Sequence, residues 1–362
     1  MDVKLSLLDG AIPETTGVSK ESQILSKQVK DGNLSLVDRI ESFEDIINLE
    51  VGDTAFTRAR NLEREEGIRQ LFLKFEGNNP TGTQKDRIAF NQCHDALRRG
   101  FDTITLATCG NYGASIALAS KLVGMACIIY IPDNYHTERV NEMEQNGAIV
   151  FRHKGTYEES VMYSIKEARK NDWYDANPGG ANTPLQMQSY AEIAYEIYDV
   201  LRDAPRMVAV PVSNGTLLAG VYRGFVSLHK RGKTSRIPKM IAASASHKNA
   251  IVYSFNKQLD ECVDLIPDKI KETRINEPLI NWHSFDGNEA LYAIRQSGGS
   301  AHNISDQKML RLARQLKDKE GLHVLPASTA GLAALLELNS QEALDPDRYV
   351  AILTGKKNSN PK

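Results

Sequence analysis

Short apolar runs rich in β-branched residues alternate along the chain with longer segments in which apolar residues recur every three or four positions. The short runs are typical of buried strands, and the longer segments are typical of helices that bury one face. Because most helical segments end at a glycine before the next apolar run begins, this order predicts parallel strands connected by helices. Strands are predicted at 71–75, 103–107, 126–131, 148–151, 207–212, 240–244 and 349–353. Helices are predicted at 86–99, 156–170, 217–229, 305–319 and 329–338, with two more that end near Gly124 and Gly147.

Two stretches do not follow this alternation. The first 45 residues are weakly patterned, and we expect an arm that packs on the body of the protein or on a second subunit. Residues 249–288 are charged and irregular, and no element is predicted there. At 362 residues the chain exceeds one ordinary domain. The expected fold class is therefore α/β in two lobes, each an open, mostly parallel sheet flanked by helices.

The composition narrows the class of protein. A hydrophobic fraction of 41%, a charged fraction of 25% and a net charge of -2 are ordinary for a globular protein and give no field that would attract nucleic acid. No apolar stretch reaches the roughly 18 residues of a membrane span. The four cysteines are scattered without paired spacing, which argues against a disulfide framework and a zinc site. We expect a cytoplasmic protein that binds neither metal, membrane nor nucleic acid.

One loop places a lysine at the start of a helix. Asn79–Arg87 follows the strand at 71–75 and puts Lys85 in the first helical turn, where the helix dipole disfavours an ammonium and so favours an amine able to attack an aldehyde. The glycine spacing at Gly77–Gly82 resembles a P-loop, but Thr83 stands where the P-loop lysine belongs. A nucleoside triphosphate site and a solvated surface lysine are the less favoured alternatives.

Three further segments end predicted strands, which is where ligands collect in open α/β sheets. Residues 108–115 combine small residues with the amide of Asn111, which can bond a ring hydroxyl or a carboxylate. Residues 213–220 offer backbone amides and two hydroxyls, as expected for a monophosphate site. Thr354 follows the last strand, where a hydroxyl can bond a pyridine nitrogen. Each could be an ordinary turn by itself, but we expect the loops to face one crevice.

Together these loops resemble the tryptophan-synthase-β-like family of pyridoxal-phosphate (PLP) enzymes, known as fold type II, over about residues 50–357. Asn79–Arg87 is close to the family motif Asn-Pro-Thr-Gly-Ser-Phe-Lys-Asp-Arg. Gly52–Phe56 stands where the family has Gly-x-Thr-Pro-Leu, and residues 298–306 resemble its segment before the penultimate helix. Within the family, the chain is most similar to the threonine synthase group.

The resemblance implies an architecture and a set of site residues. It implies PLP in a cleft between a large domain (46–85 and 200–362) and a small mobile domain (86–199), with residues 1–45 as an arm, in a homodimer. The implied catalytic residue is Lys85, as the Schiff-base lysine and proton shuttle. The implied cofactor-binding residues are Lys85, Asn111, Ser213, Asn214, Gly215, Thr216 and Thr354. The implied substrate-binding residues are Thr81, Thr108, Cys109, Gly110, Asn111 and Tyr112, and no metal is implied.

The resemblance also implies a reaction class in amino-acid metabolism. It implies a threonine-synthase-like lyase that eliminates or replaces a group at the β or γ carbon of a small amino acid, with or without an O-phosphoryl group. A serine or threonine ammonia-lyase and a β-replacement synthase that uses a sulfur nucleophile remain alternatives, as does a non-catalytic protein that binds a small ligand. Gln84, Tyr112 and Leu325 depart from common family residues, which alters the pocket walls and hence the specificity.

Overall fold

In the computed structural model, which describes residues 17–108, 110–133, 135, 137 and 139–357, strands and helices alternate through most of the chain. The strands, β1 to β10, are Ala55–Arg58, Leu71–Phe75, Thr103–Ala107, Ala126–Pro132, Ile149–His153, Tyr174–Asp175, Met207–Pro211, Lys239–Ala245, Ser300–Ile304 and Tyr349–Leu353. The helices, α1 to α13, are Lys20–Lys30, Leu36–Glu50, Arg60–Glu66, Lys85–Arg98, Asn111–Val123, Val140–Gln145, Tyr157–Asn171, Thr183–Leu201, Thr216–Lys230, Ala250–Asn256, Gly287–Gln296, Asp306–Glu320 and Ala330–Gln341.

The strands form two sheets. Six of them lie in the order β1-β2-β10-β7-β8-β9, and the other four lie in the order β5-β4-β3-β6. All neighbours pair in parallel except β1 and β2. Every residue of β7 and β10 is buried, as expected for parallel strands whose two faces are both covered by helices. The predicted α/β class, with two mostly parallel sheets flanked by helices, is confirmed.

The first described residues form two capped helices. The Ser19 hydroxyl accepts a hydrogen bond from the amide of Ser22 at the start of α1, and the Ser35 hydroxyl caps α2 in the same way. Helix α1 packs on α5 and α2 packs on α4. The Ser26 hydroxyl donates to the carbonyl of Leu122 over 2.7 Å. The described part of the expected arm therefore packs on the body of its own chain, while residues 1–16 lie outside the described residues.

Helix α8 was not predicted, although it packs against both α4 and α9. It touches α9 at backbone distance, since a Cβ added at Gly220 would lie 2.7 Å from the carbonyl oxygen of Met187, and one at Gly224 would lie 2.6 Å from that of Ala191. The buried face of α8 is broad and includes the polar residues Thr183, Gln186 and Ser189, whereas Pro184, Gln188 and Glu192 lie on its exposed face. Buried polar residues interrupt the apolar stripe that reveals amphipathic helices in a sequence.

Candidate active site

The carboxyl ends of β3, β7 and β10 and the start of α4 surround one cleft with a volume of about 350 Å³. Most of the residues proposed from the sequence line it: Lys85, Thr108, Gly110, Asn111, Tyr112, Ser213, Asn214, Gly215, Thr216 and Thr354. Thr81 lies behind the wall, where its hydroxyl donates to Asp86 and bonds Ser115. Cys109 lies outside the described residues.

Lys85 is the first residue of α4, and its amine is unpaired. Within the described chain the Nζ atom has no hydrogen-bond or ion-pair partner, and it lies 5.3 Å from the ring centroid of Tyr112. Burial lowers the pKa of this amine to about 8, and the nearby Asp286 carboxylate opposes that shift. A substantial fraction of the amine is therefore neutral, and nucleophilic, at mildly alkaline pH.

The end of β10 holds the loop that carries this lysine. The amide of Gln84 donates to the carbonyl of Thr354 over 3.0 Å, and the amide of Lys356 donates to the carbonyl of Gly82 over 2.9 Å. Gly82 has a φ of +82°, a left-handed conformation that favours glycine. The position of Lys85 therefore depends on backbone contacts between two segments that are far apart in the sequence.

A buried ion-pair network fixes α4 from the other side. Arg87 donates to both carboxylate oxygens of Glu76, over 2.6 and 2.9 Å, and to both of Glu196, over the same two distances. Lys74 pairs with Glu196, and the Thr54 hydroxyl donates to Glu76 over 2.7 Å. These paired charges connect β2, α4 and α8, so they orient the first turn of α4, from which Lys85 projects.

The start of α9 forms an uncapped amide cluster at the cleft. Gly215 precedes the helix with a φ of +95°, and a Cβ there would lie 2.7 Å from the carbonyl oxygen of Asp286. No side chain caps the helix, so its first amides are free to bind an anion. The Thr216 hydroxyl donates to the Asp286 carboxylate, which also accepts from Thr183 over 2.6 Å. Backbone amides, rather than the Thr216 hydroxyl, are therefore the groups offered to a phosphate.

Asn111 begins α5 and contacts a cation that the sequence did not reveal. Its Oδ1 accepts a hydrogen bond from Arg139 over 2.9 Å, which leaves Nδ2 as the group that can donate to a ligand. Arg139 also donates to the carbonyl of Thr81 over 2.9 Å and to both carboxylate oxygens of Glu142. Arg139 thus ties the lysine loop to the start of α5.

Tyr112 and Thr354 present different groups to the cleft. The Tyr112 hydroxyl donates to the carbonyl of Ala176 and also bonds the Gln92 side chain, so this residue contributes its ring to the cleft. The Thr354 hydroxyl lies 3.1 Å from that of Ser328, which is itself buried in the wall. Because either hydroxyl can donate to the other, Thr354 can accept from or donate to a ring nitrogen.

Several residues that line the cleft were not predicted from the sequence. Gln186 and Tyr190 of α8 are each 1% exposed, and the Gln186 Oε1 and Tyr190 hydroxyl have no partner within the described chain. Neither position carries a sequence signal, because both lie inside an unpredicted helix. Asp286 precedes Gly287 at the start of α11, which is a recognisable cap position, but it lies in the stretch to which no element was assigned.

The cleft fits the PLP that the resemblance implies. PLP has an aldehyde, a phosphate, a ring hydroxyl and a pyridine nitrogen, and the cleft has an unpaired amine, an uncapped helix start, a free amide donor and a hydroxyl. The unpaired Tyr190 hydroxyl adds to this fit, because buried polar groups are ordinarily hydrogen-bonded. The backbone and side-chain groups that would contact each part of PLP are thus present in one cleft.

Neither a metal cluster nor a membrane span is found among the described residues. Within residues 17–357, apart from the few positions not described, no cluster of three or more His, Cys, Asp or Glu side chains has a metal-binding arrangement. None of the helices in the described part of the chain combines the length and apolar character of a membrane span.

Comparison with known proteins identifies the family. Residues 47–355 match the sequence profile of the family described as "Pyridoxal-phosphate dependent enzyme". The threonine synthase of Methanocaldococcus jannaschii is 32% identical over 318 residues, which are 86% of this chain and 76% of that protein. Maize serine racemase superposes with a TM-score of 0.73 at 18% identity, over 89% of this chain and 94% of that one. Threonine deaminase isoform 2 from Solanum lycopersicum superposes with a TM-score of 0.71 at 16% identity, over 96% of this chain and 95% of that one. The chain therefore belongs to the pyridoxal-phosphate dependent enzymes of fold type II.

Proposed function

We propose that this enzyme eliminates or replaces a group at the β or γ carbon of a small amino acid, as a threonine-synthase-like lyase, with Lys85 as its catalytic residue. The proposal rests on the unpaired amine of Lys85, which lies in the same cleft as the first residues of α5 and α9 and the hydroxyl of Thr354. The similarity to threonine synthases over most of the chain supports the reaction class.

Each group of the cofactor has a candidate partner. Lys85 would hold the aldehyde carbon, the amides at the start of α9 with Ser213 and Asn214 would hold the phosphate, and Asn111 Nδ2 would donate to the ring hydroxyl. Thr354 would face the ring nitrogen without forcing it to carry a proton. When bound, PLP supplies an electron sink for the pair left on the α carbon of an amino acid.

The protein itself supplies the base and the binding groups. Once released from the cofactor, the Lys85 amine would accept the α-proton, and a pKa of about 8 suits that role near neutral pH. The substrate carboxylate would bind at the start of α5, where the amides of Asn111 and Tyr112 have no partner in the described chain, whereas those of Gly110 and Gly113 donate to the Thr108 hydroxyl. The Tyr112 ring would cover the Lys85 amine and exclude water from it.

Absorbance spectroscopy tests the cofactor assignment. Purified protein incubated with PLP is expected to show a near-ultraviolet band of protein-bound cofactor, which Lys85→Ala abolishes and the surface control Lys230→Ala retains. Turnover of serine, threonine, O-phosphoserine and O-phosphohomoserine, followed through ammonia, keto acid and phosphate release, then separates lyase from replacement chemistry. If addition of PLP changes neither the absorbance spectrum nor the melting temperature, the result would instead support a non-catalytic binding protein.

We also propose a cytoplasmic homodimer. The three described cysteines, Cys93, Cys127 and Cys262, are free thiols, which suits a reducing compartment. Tyr222 of α9 and Tyr292 of α11 form an edge-to-face pair, and Tyr292 is 60% exposed, as expected for an interface residue. Sedimentation velocity is expected to give twice the chain mass for the wild type and a weaker dimer for Tyr292→Asp. A wild-type monomer at micromolar concentration would contradict the assignment.

A further inference from the structure

The charges of the cleft do not suit a phosphorylated substrate. Within the described chain, the charged side chains that line it are one lysine and three glutamates: Lys85, Glu158, Glu272 and Glu277. Lys85 is committed to the cofactor, whose phosphate would bring further negative charge. Lys356 and Lys357 follow β10, but the side chain of Lys356 packs against Gly82 and neither lysine lines the cleft.

The nearby guanidinium of Arg139 is already neutralised. It forms a two-point ion pair with Glu142, and its remaining donors bond Asn111 and Thr81. A second phosphate entering the cleft would therefore meet carboxylates without a free cation among the described residues. Burying an unpaired charge is costly, so this arrangement selects against a dianionic group.

Glu277 is the carboxylate that most clearly needs a partner. It opens a short 3-10 turn, Glu277–Leu279, in the cleft wall, and its carboxylate has no hydrogen-bond or ion-pair partner within the described chain. Burial alone raises its pKa to about 8. The residue is half-buried, and with this pKa the group is mostly protonated at neutral pH. A positively charged ligand group beside it would favour the ionised carboxylate, because an opposite charge stabilises the charged form of an acid.

A second, independent acceptor lines the same cleft. The side chain of Gln186 is 1% exposed, and its Oε1 accepts no hydrogen bond within the described chain, whereas its Nε2 donates to the carbonyl of Asn177. An unpaired carbonyl and an unpaired carboxylate both require a donor. An ammonium carries three donors and a positive charge, whereas a phosphate dianion carries only acceptors.

We infer that the cleft binds an amino group in addition to the α-amino group of the substrate, and that Glu277 is the residue that selects it. This inference rests on the proposed function, because it concerns the reactants of the same cleft. The amino group has two possible sources: the side chain of a diamino acid, or a separate amine that replaces the leaving group.

Titration of the holoenzyme tests the inference and distinguishes these sources. The absorbance of bound PLP at pH 8.5 would be followed on addition of 2,3-diaminopropionate, 2,4-diaminobutyrate, serine, O-phosphoserine or O-phosphohomoserine. In a second series, ammonia or methylamine would be added at saturating serine. We expect either the diamino acids to bind at least about tenfold more tightly than the phosphorylated amino acids, or the separate amine to alter the spectrum of the serine complex.

Variants assign the selectivity to one side chain. Glu277→Gln is expected to weaken amine binding about tenfold while the apparent affinity for serine changes less than about threefold. Glu261→Gln, which changes an exposed glutamate outside the cleft lining, is expected to behave as wild type. If Glu277→Gln fails to retain PLP, the inference is tested by the wild-type enzyme alone, through its relative affinities for the amines and for the phosphorylated amino acids.

The possible results separate the two proposals. Tighter binding of O-phosphohomoserine than of every amine, or an equal loss of serine and amine affinity in Glu277→Gln, would overturn the inference and leave the proposed function intact. An enzyme whose PLP spectrum responds to no amino acid would instead contradict the proposed function itself.

Discussion

Lys85 combines a buried amine with one nearby carboxylate, and the balance between them sets its reactivity. Burial lowers the pKa of the amine to about 8, whereas Asp286 raises it. Asp286 forms no ion pair with the amine, and its oxygens accept instead from Thr183 and Thr216. The carboxylate therefore influences Lys85 through space while it holds the start of α9 in place.

The rate of cofactor incorporation should report this balance. Because only the neutral amine attacks an aldehyde, incorporation of PLP into apoprotein should rise about tenfold between pH 7 and pH 9 and then level off. Asp286→Asn removes the charge that raises the pKa, so the midpoint should move to lower pH. Stopped-flow absorbance would measure both profiles, and an unchanged midpoint in the variant would refute the electrostatic role of Asp286.

Glu277 should make the stability of the protein depend on pH. Its pKa rises from 4.5 in the unfolded chain to about 8 in the folded protein, so between these values the unfolded chain loses a proton that the folded protein keeps. Wild-type stability should therefore fall as pH rises from about 5 to 8, relative to Glu277→Gln, by up to about 4 kcal/mol, at about 1.4 kcal/mol per pH unit. Urea denaturation of both proteins at pH 5 and pH 8.5 would measure this difference. An equal change in the free energy of unfolding of both proteins between the two pH values would contradict the prediction.

At the scale of elements, the regular strands were the most predictable part of the fold. The strands at 71–75, 103–107 and 349–353 match the structure to the residue, and the helix predicted at 156–170 is α7, which begins at a capping box of Thr156 and Glu159. Helix α8 was missed because buried polar residues, among them Gln186 and Ser189, interrupt its apolar face. The position of Glu277 could not be predicted, because it depends on tertiary contacts of an irregular segment rather than on a periodic pattern.

The ion-pair network of α4 gives a prediction at this scale. Arg87→Met leaves Glu76 and Glu196 buried without their main cation, and breaking a buried ion pair in this way typically costs about 3–5 kcal/mol. Arg98→Met on the same helix removes an ion pair whose arginine is 63% exposed, so it should cost less than about 1 kcal/mol. Chemical denaturation would compare them, and equal losses would rule out a special role for the network.

At the scale of the whole molecule, helices α8 and α9 bring the two sheets together. We propose that residues 86–199 form a small domain that moves against residues 46–85 and 200–362, except that α8, most of which belongs to the first range, stays packed on α9. Its close contact with Gly220 and Gly224 of α9 leaves no room for side chains. Any such motion therefore has to keep this pair of helices together and take place in the segments around them.

Substitution of a glycine tests this contact. Gly224→Ala places a Cβ 2.6 Å from the carbonyl oxygen of Ala191, so the helices must separate, and we expect a loss of about 1–3 kcal/mol of stability together with weaker PLP binding. Gly32→Ala, where the added atom meets nothing within 4 Å, should change stability by less than about 0.5 kcal/mol. Calorimetry with and without PLP would measure both, and an unaffected Gly224→Ala would contradict the close packing.

The insertion of β10 between β2 and β7 has a consequence for biosynthesis. A ribosome completes the lysine loop long before it completes the strand that holds this loop in place. At roughly 5–20 residues per second the delay is on the order of tens of seconds. During that interval the nascent sheet has a gap at its centre, with unpaired edges on both sides. Cofactor capture must therefore wait until β10 emerges, and molecular chaperones have a defined window in which to shield those edges from aggregation.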